Sequence, residues 1–288
     1  MPFVLTLIAA PGALAASLLA RVREAAGAGP ELVLSPGEAA DLPCADAPDP
    51  ARLRDAIDGA AIDAVVTRAE SRRKRLLIAD MDSTIVASET LDELATFAGV
   101  GEKVAAITRR AMAGEIDFKG ALRERVALLQ GLPIEALERT WAATRMTPGA
   151  DALVATMHAN GAVTALVSGG FSFFTGRVAE ALGFDLHRSN TLLDDGTALL
   201  GRVGEPILDR DAKLAMMREL AATHGLAADE CLAVGDGAND LDMIRAAGLG
   251  VAFHAKPIVA EAAAARVDHA DLRALLFMQG YKASEFAA

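Results

Sequence analysis

A chain of 288 residues suggests about two domains at roughly 150 residues each. Its 28 basic and 39 acidic side chains leave a net charge of −11, which excludes a general grip on nucleic-acid backbone, and 52% hydrophobic residues exclude a disordered polymer. Aromatics at 4% favour alanine-rich helices over an all-β sandwich, and Cys44 and Cys231 are too few for a disulfide framework or a zinc cluster; two reduced thiols suit a cytoplasmic protein.

From Phe3 to Ala20 there is no charged residue. A secretory leader would need a preceding Lys or Arg, and Pro11-Gly12 breaks the run. The stretch reads instead as a strand, Phe3–Ala9, and a helix, Gly12–Ala25, with Pro11 in its first turn and Gly27 at its end. Extended pieces at Glu31–Leu34 and Ala39–Pro43 follow, then a helix at Ala51–Asp58 and a strand at Ile62–Thr67. Residues 1–70 thus carry a β-α-β-β-α-β, ferredoxin-like order. Arg72-Arg73-Lys74-Arg75 reads as a solvated linker rather than a nucleic-acid patch. No apolar run is long enough to span a bilayer, so neither membrane nor nucleic acid is expected as a partner.

Leu76-Leu77-Ile78-Ala79 suits a buried parallel strand. Residues 90–145 are helical in pattern, with stops at Gly99–Gly101, Gly114 and Gly131–Pro133. Strands resume at Val163–Val167, Leu232–Val234 and Leu249–Val251, separated by helices, which predicts an α/β domain with a parallel sheet. Asp195-Gly196 marks a hairpin inserted between Thr191 and Ile207.

In such a sheet, chemistry sits at the carboxyl ends of the strands. The first strand ends at Asp80 and Asp82, the second at Ser168-Gly169-Gly170, and the third at Gly235-Asp236-Gly237-Ala238-Asn239-Asp240; Lys213 opens a helix between the last two. Turn and cap duty explains any one of these clusters, but explains poorly three of them at three strand ends. Clustered carboxylates raise one another's pKa unless a cation sits among them, and oxygen-only ligands suit Mg²⁺. Calcium-loop spacing fails, because position six from Asp80 is Ile85 and position twelve is Leu91. Phosphoryl transfer fits this inventory. An ionised aspartate can attack phosphorus without an activating base. Mg²⁺ and Lys213 would offset charge repulsion, Ser168 and the Gly169 amide would fix a phosphoryl oxygen, and Asp82 would protonate the leaving alkoxide.

Asp-x-Asp-x-Thr, then Ser, then Lys, then Gly-Asp-Gly-x-Asn-Asp resembles the haloacid dehalogenase superfamily, over residues 74–285. That resemblance implies a Rossmann-like core of residues 74–88 and 147–288, with a helical cap of residues 89–146 inserted after the first core strand. It implies Asp80 as nucleophile, Asp82 as acid/base, and Mg²⁺ held by Asp80, Asp236 and the Asp82 carbonyl, with Asp240 behind them.

Within residues 117–130, Phe118, Leu122, Arg125 and Leu129 share one helical stripe, whereas Arg123 points away. An arginine on an apolar face needs an anionic partner or an outlet to water; a snorkelling side chain and an internal pair with a glutamate are alternatives to a ligand. Glu89 offers the opposite charge. Phosphate chemistry below, with Arg and Glu above, suits a phosphorylated amino acid. Asp80 through Glu89, Met112-Ala113-Gly114 through Phe118, Leu122 through Val126, Ser168 through Phe171 and Gly235 through Asp240 resemble the phosphoserine phosphatase family. The resemblance implies hydrolysis of O-phospho-L-serine in the last step of serine biosynthesis. It implies that Glu89 and Arg125 bind the serine moiety, that Ser168, Gly169, Lys213 and Asn239 hold phosphate, and that Met112 and Phe118 wall the pocket. Residues 1–70 are similar to amino-acid-binding regulatory (ACT) domains, though short and without a ligand-binding glycine turn, so a homodimerising role is equally expected. The alternatives are phosphatase or phosphotransferase chemistry on another small phosphomonoester, or a non-catalytic amino-acid sensor.

Overall fold

The computed structural model describes residues 2–287, with the side chain of Met112 outside the described set. The N-terminal unit comprises β1 (Phe3–Ala9), α1 (Ala16–Ala25), β2 (Leu32–Ser35), β3 (Ala39–Cys44), α2 (Pro50–Ile57) and β4 (Ile62–Arg68). Its antiparallel sheet has the order β2-β3-β1-β4. Side chains alternate along β1, so Leu5, Leu7 and Ala9 pack on Leu18, Val22, Leu53 and Ala56 of the two helices. Ile8, with Leu34, Ala39 and Val65, joins the core of the second unit.

The expected helix start at Gly12 is corrected to Ala16. Gly12 takes φ +79° and the Leu14 N–H bonds to the Gly37 carbonyl at 2.8 Å, so Pro11 sits in a turn ahead of the helix. The basic linker is corrected in part: Arg73 and Arg75 are exposed, as a solvated linker requires, but Arg72 and Lys74 are not. Arg72 is bound by Asp41 at 2.7 Å, and Lys74, 8% exposed, donates to the carbonyls of Ser71 and Asp229 at 2.6 Å each. The two units clamp it. The Asp63 carboxylate also reaches across, accepting from the N–H groups of Asp268, His269 and Ala270.

In the second unit β5 is Leu76–Ala79 and is followed by four helices, α3 (Thr90–Phe97), α4 (Gly101–Met112), α5 (Phe118–Ala127) and α6 (Glu135–Ala143). Then come α7 (Ala150–Ala159), β6 (Val163–Phe171), α8 (Ser172–Leu182), β7 (Leu186–Asn190), the hairpin β8 (Leu192–Asp194) and β9 (Leu199–Val203), and α9 (Arg210–Thr223). The chain ends through β10 (Cys231–Gly235), α10 (Leu241–Ala246), β11 (Leu249–Phe253), α11 (Pro257–Ala262), β12 (Ala265–Val267) and α12 (Ala274–Met278). The sheet runs β12-β11-β10-β5-β6-β7, every pair parallel. β5 is central and fully buried, with Leu77 and Ala79 in one core layer and Leu76 and Ile78 in the other. Its continuous apolar run follows from burial on both faces.

The four-helix insertion leaves after Val86 and returns at Met146, which face each other as an isolated antiparallel bridge. It leans on the hairpin through Gly131 N–H to Leu199 O at 2.8 Å and Leu199 N–H to Leu132 O at 2.9 Å. Lys119–Asp209 and Arg123–Glu205 ion pairs, both 2.7 Å, tie it to the segment before α9. Among the described residues no helix is long and apolar enough to cross a membrane.

Candidate active site

β5 and β10 end side by side, and their parallel pairing delivers Asp80 next to Asp236 and Asp240. After Asp80 the chain turns sharply. Asp82 is extended (φ −65°, ψ 136°) and Ser83 is left-handed (φ 55°), a conformation that costs a non-glycine residue about 1 kcal/mol or more. The kink sends the two aspartates apart. The Asp80 carboxylate faces Lys213, whereas Asp82 Oδ1 accepts from the Thr90 N–H of the insertion at 3.0 Å.

Lys213 Nζ lies 2.6 Å from both Asp80 Oδ1 and Asp240 Oδ1 and is 2% exposed. Burial alone lowers its pKa, but the charges of Asp240 and Asp80 outweigh that and raise it, so it stays an ammonium. Asp240 is held from its other side by the Gly237 N–H at 3.0 Å, and a Cβ on Gly235 would collide with its carboxylate. Burial first, then Asp80, push Asp240 up to about 7 despite Lys213.

Carboxylate oxygens of Asp80, Asp236 and Asp240 lie within 4.8 Å of one another, and all three residues are buried. Burial raises the pKa of Asp236, with Lys256 opposing and Asp80 adding to the rise. Crowded, buried, all-oxygen donors of this kind fit a hard divalent cation, whose charge would relieve the repulsion. The Asp82 carboxylate is not in this cluster, so a contribution from Asp82 to the metal falls to its backbone. Instead Asp82, half-buried, is pushed up to about 7 by burial and then by the charges of Glu89 and Asp80, against the Thr90 hydrogen bonds.

On β6, Ser168 is 2% exposed and its Oγ accepts from the Gly170 N–H at 2.9 Å. A Cβ on Gly170 would stand 2.7 Å from Asp82 Oδ2 and 3.1 Å from Ser168 Oγ, so glycine lets the two functional groups converge. Gly169 sits directly under the insertion, where a Cβ would lie 3.2 Å from the tip of the Phe118 ring. Asn239 is half-buried in the short turn after β10, and its Oδ1 folds back over Gly237.

Leu122 and Leu129 are buried, which shows that the stripe carrying Arg125 faces inward. Arg125 is half-buried and has no carboxylate within 4 Å among the described residues; its Nε donates to the Ala121 carbonyl at 3.3 Å. Burial lowers its pKa, with Asp92 and Glu89 pulling the other way. An internal glutamate pair is therefore ruled out. Arg123, as expected, points away, to Glu205. Glu89 accepts from the Ser83 hydroxyl at 2.9 Å. The side chain of Met112 lies outside the described residues.

The structure adds Lys256, which the sequence reading missed. It follows β11, another strand end, and its Nζ lies 3.3 Å from Asp236 Oδ2 while its N–H donates to the Asp236 carbonyl at 3.1 Å. That position at a carboxyl strand end was the available signal. A cavity of about 570 Å³ lies elsewhere, at the amino ends of β11 and β12, lined by Arg68, Lys74 and Arg245 among others.

The haloacid dehalogenase-like hydrolase family model matches residues 74–248, the stretch holding every one of these groups except Lys256. The chain belongs to this family. It is 48% identical over 193 residues to a phosphoserine phosphatase of Archaeoglobus fulgidus, covering 67% of this chain but 56% of that protein, so the chain spans about half of that relative's length. A phosphoserine phosphatase of Streptococcus thermophilus is 45% identical over 202 residues, covering 70% of this chain and 94% of that protein. A solved phospho-aspartyl intermediate analogue of phosphoserine phosphatase is 41% identical with a TM-score of 0.66, covering 71% of this chain and 98% of that one. The family model leaves residues 1–73 and 249–288 outside its match.

Proposed function

We propose that this chain is a phosphoserine phosphatase, hydrolysing O-phospho-L-serine to L-serine and phosphate in the cytoplasm. The observation that carries this reading is Arg125, a half-buried guanidinium with no carboxylate within 4 Å among the described residues, on the helix whose Phe118 ring sits over Gly169 and within reach of the charge of Glu89. It leaves one cation for a substrate carboxylate. Glu89, influencing the same guanidinium, is left for the ammonium group. Phe118 closes the apolar wall over Gly169.

Asp80 attacks phosphorus, forming an aspartyl-phosphate as the bond to the serine oxygen breaks. Asp82, with a pKa of about 7, is substantially protonated near neutrality and gives its proton to that oxygen. It then takes a proton from the water that attacks the aspartyl-phosphate, restoring the Asp80 carboxylate. Ser168, the Gly169 N–H and Asn239 hold phosphoryl oxygens, and Lys213 balances the charge on Asp80. Asp80, Asp236 and the Asp82 carbonyl would hold Mg²⁺, with Asp240 behind them; when bound, the ion supplies positive charge beside the phosphoryl oxygens.

Phosphate release from phosphoserine, phosphothreonine and phosphoethanolamine, with Mg²⁺ or with a chelator, tests this. Phosphoserine should have the highest kcat/KM, and activity should vanish on chelation and return with Mg²⁺. Equal kcat/KM for phosphoethanolamine would move the reading to a general small-phosphomonoesterase, and serine binding without turnover would move it to a sensor.

A further inference from the structure

Asn190 ends β7 and is 2% exposed, behind the phosphoryl site rather than in it. The β6–β7 ladder shifts register between Val167 and Phe171, which takes residues 168–170 off the regular pairing. The Gly169 carbonyl thereby loses a ladder partner. Asn190 replaces it: its Nδ2 donates to the Gly169 carbonyl at 2.8 Å. That carbonyl and the Gly170 N–H belong to one peptide group, and this N–H donates to Ser168 Oγ at 2.9 Å. A hydroxyl has one proton and two lone pairs, so an Oγ that accepts from behind keeps its proton for a partner in front. Each bond in such a chain polarises the next. The other end of the Asn190 amide reaches a second element. Its Oδ1 accepts from the Leu208 N–H at 2.8 Å, and its Nδ2 lies 3.4 Å from the Leu208 carbonyl. Leu208 precedes Asp209, whose side chain caps α9, the helix that carries Lys213.

We propose that Asn190 is a positioning residue of the phosphoryl site. Through the 169–170 peptide it turns the Ser168 hydroxyl proton toward the substrate, and through Leu208 it ties Ser168 to the helix of Lys213. This rests on the reading of Ser168 as a phosphoryl-oxygen donor.

The test is a double-mutant cycle of Asn190→Asp and Ser168→Ala on phosphoserine turnover. Asn190→Asp keeps the acceptor for the Leu208 N–H and removes the donor to Gly169. It should lower kcat/KM about tenfold, the worth of one oriented hydrogen bond. In the Ser168→Ala background the same change should cost less than about twofold, because its route is already gone. The Ki of orthovanadate should rise with the loss in kcat/KM, while the Ki of L-serine stays put. Equal losses in both backgrounds, no loss in either, or a parallel rise of both Ki values would overturn the proposal and leave Asn190 a structural residue. If Ser168→Ala alone costs nothing, the reading of Ser168 fails instead, and the proposal with it. Asn190→Ser, neutral and smaller, goes through the same cycle should the aspartate variant not fold.

Discussion

Arg125→Ala should divide substrate recognition from phosphoryl chemistry. Its guanidinium sits on the buried face of α5, its nearest polar contact is a 3.3 Å bond within its own helix, and no carboxylate lies within 4 Å among the described residues. A substrate carboxylate would therefore be its first full partner. Two charge-assisted hydrogen bonds to that carboxylate are worth about 3 kcal/mol on truncation, or about a hundredfold in kcat/KM. Phosphoethanolamine lacks the carboxylate, so its kcat/KM should change by less than about threefold. Both numbers come from steady-state phosphate release at saturating Mg²⁺. Stability should hold, because no ion pair is broken and burial already disfavours the charged side chain. A melting temperature within about 3 °C of the parent is expected. Equal losses on both substrates would refute the reasoning, since Arg125 would then serve the fold or the phosphate rather than the amino acid.

Asp82 titrates at about 7 in the metal-free protein against 3.8 in an ordinary chain, so the folded state holds its proton more tightly. Its stabilising contribution is full below about pH 4 and is lost as pH rises through about 7; urea melts in chelator should show Asp82→Asn losing less stability than the parent across that window, and a reversed order would contradict the assignment. Gly170→Ala places a methyl 2.7 Å from Asp82 Oδ2, so kcat should fall by about a hundredfold with the melting temperature little changed, as kinetics and calorimetry would show. Asp41→Ala strips Arg72 of its buried partner at the junction of the two units and should cost about 3 kcal/mol in urea denaturation while kcat is retained; a loss under about 1 kcal/mol would mean the pair is solvated.

The groups nearest the chemistry were legible because each lies at the end of an apolar strand, where sequence pattern and sheet geometry coincide. Asp80, Ser168 and Asp236 follow runs that are buried on both faces. The edge strands were not legible. β7 reads Leu-His-Arg-Ser-Asn, with one face open to solvent, and β12 is three residues long, so neither shows an apolar run. The start of α1 was misplaced because Pro11-Gly12 serves equally as a helix start and as a turn, and only the bond from Leu14 to Gly37 decides. Burial of the Arg72 linker depends on Asp41, a contact between units that no local pattern encodes. Asn190 was missed for the same reason, since its partner lies 21 residues away in sequence and meets it only across neighbouring strand ends, whereas Lys256, 20 residues from Asp236, carried a usable signal in its place just after β11.

The claim that Asp80 is the nucleophile meets its most direct test in acid-quenched reactions with ³²P-labelled phosphoserine, followed by peptide mapping of the trapped protein. Label should appear on the peptide containing Asp80, should discharge with water at a rate consistent with kcat, and should be absent from Asp80→Asn, which should also be inactive. Turnover without protein-bound label at any quench time, or label mapped to another residue, would contradict the account.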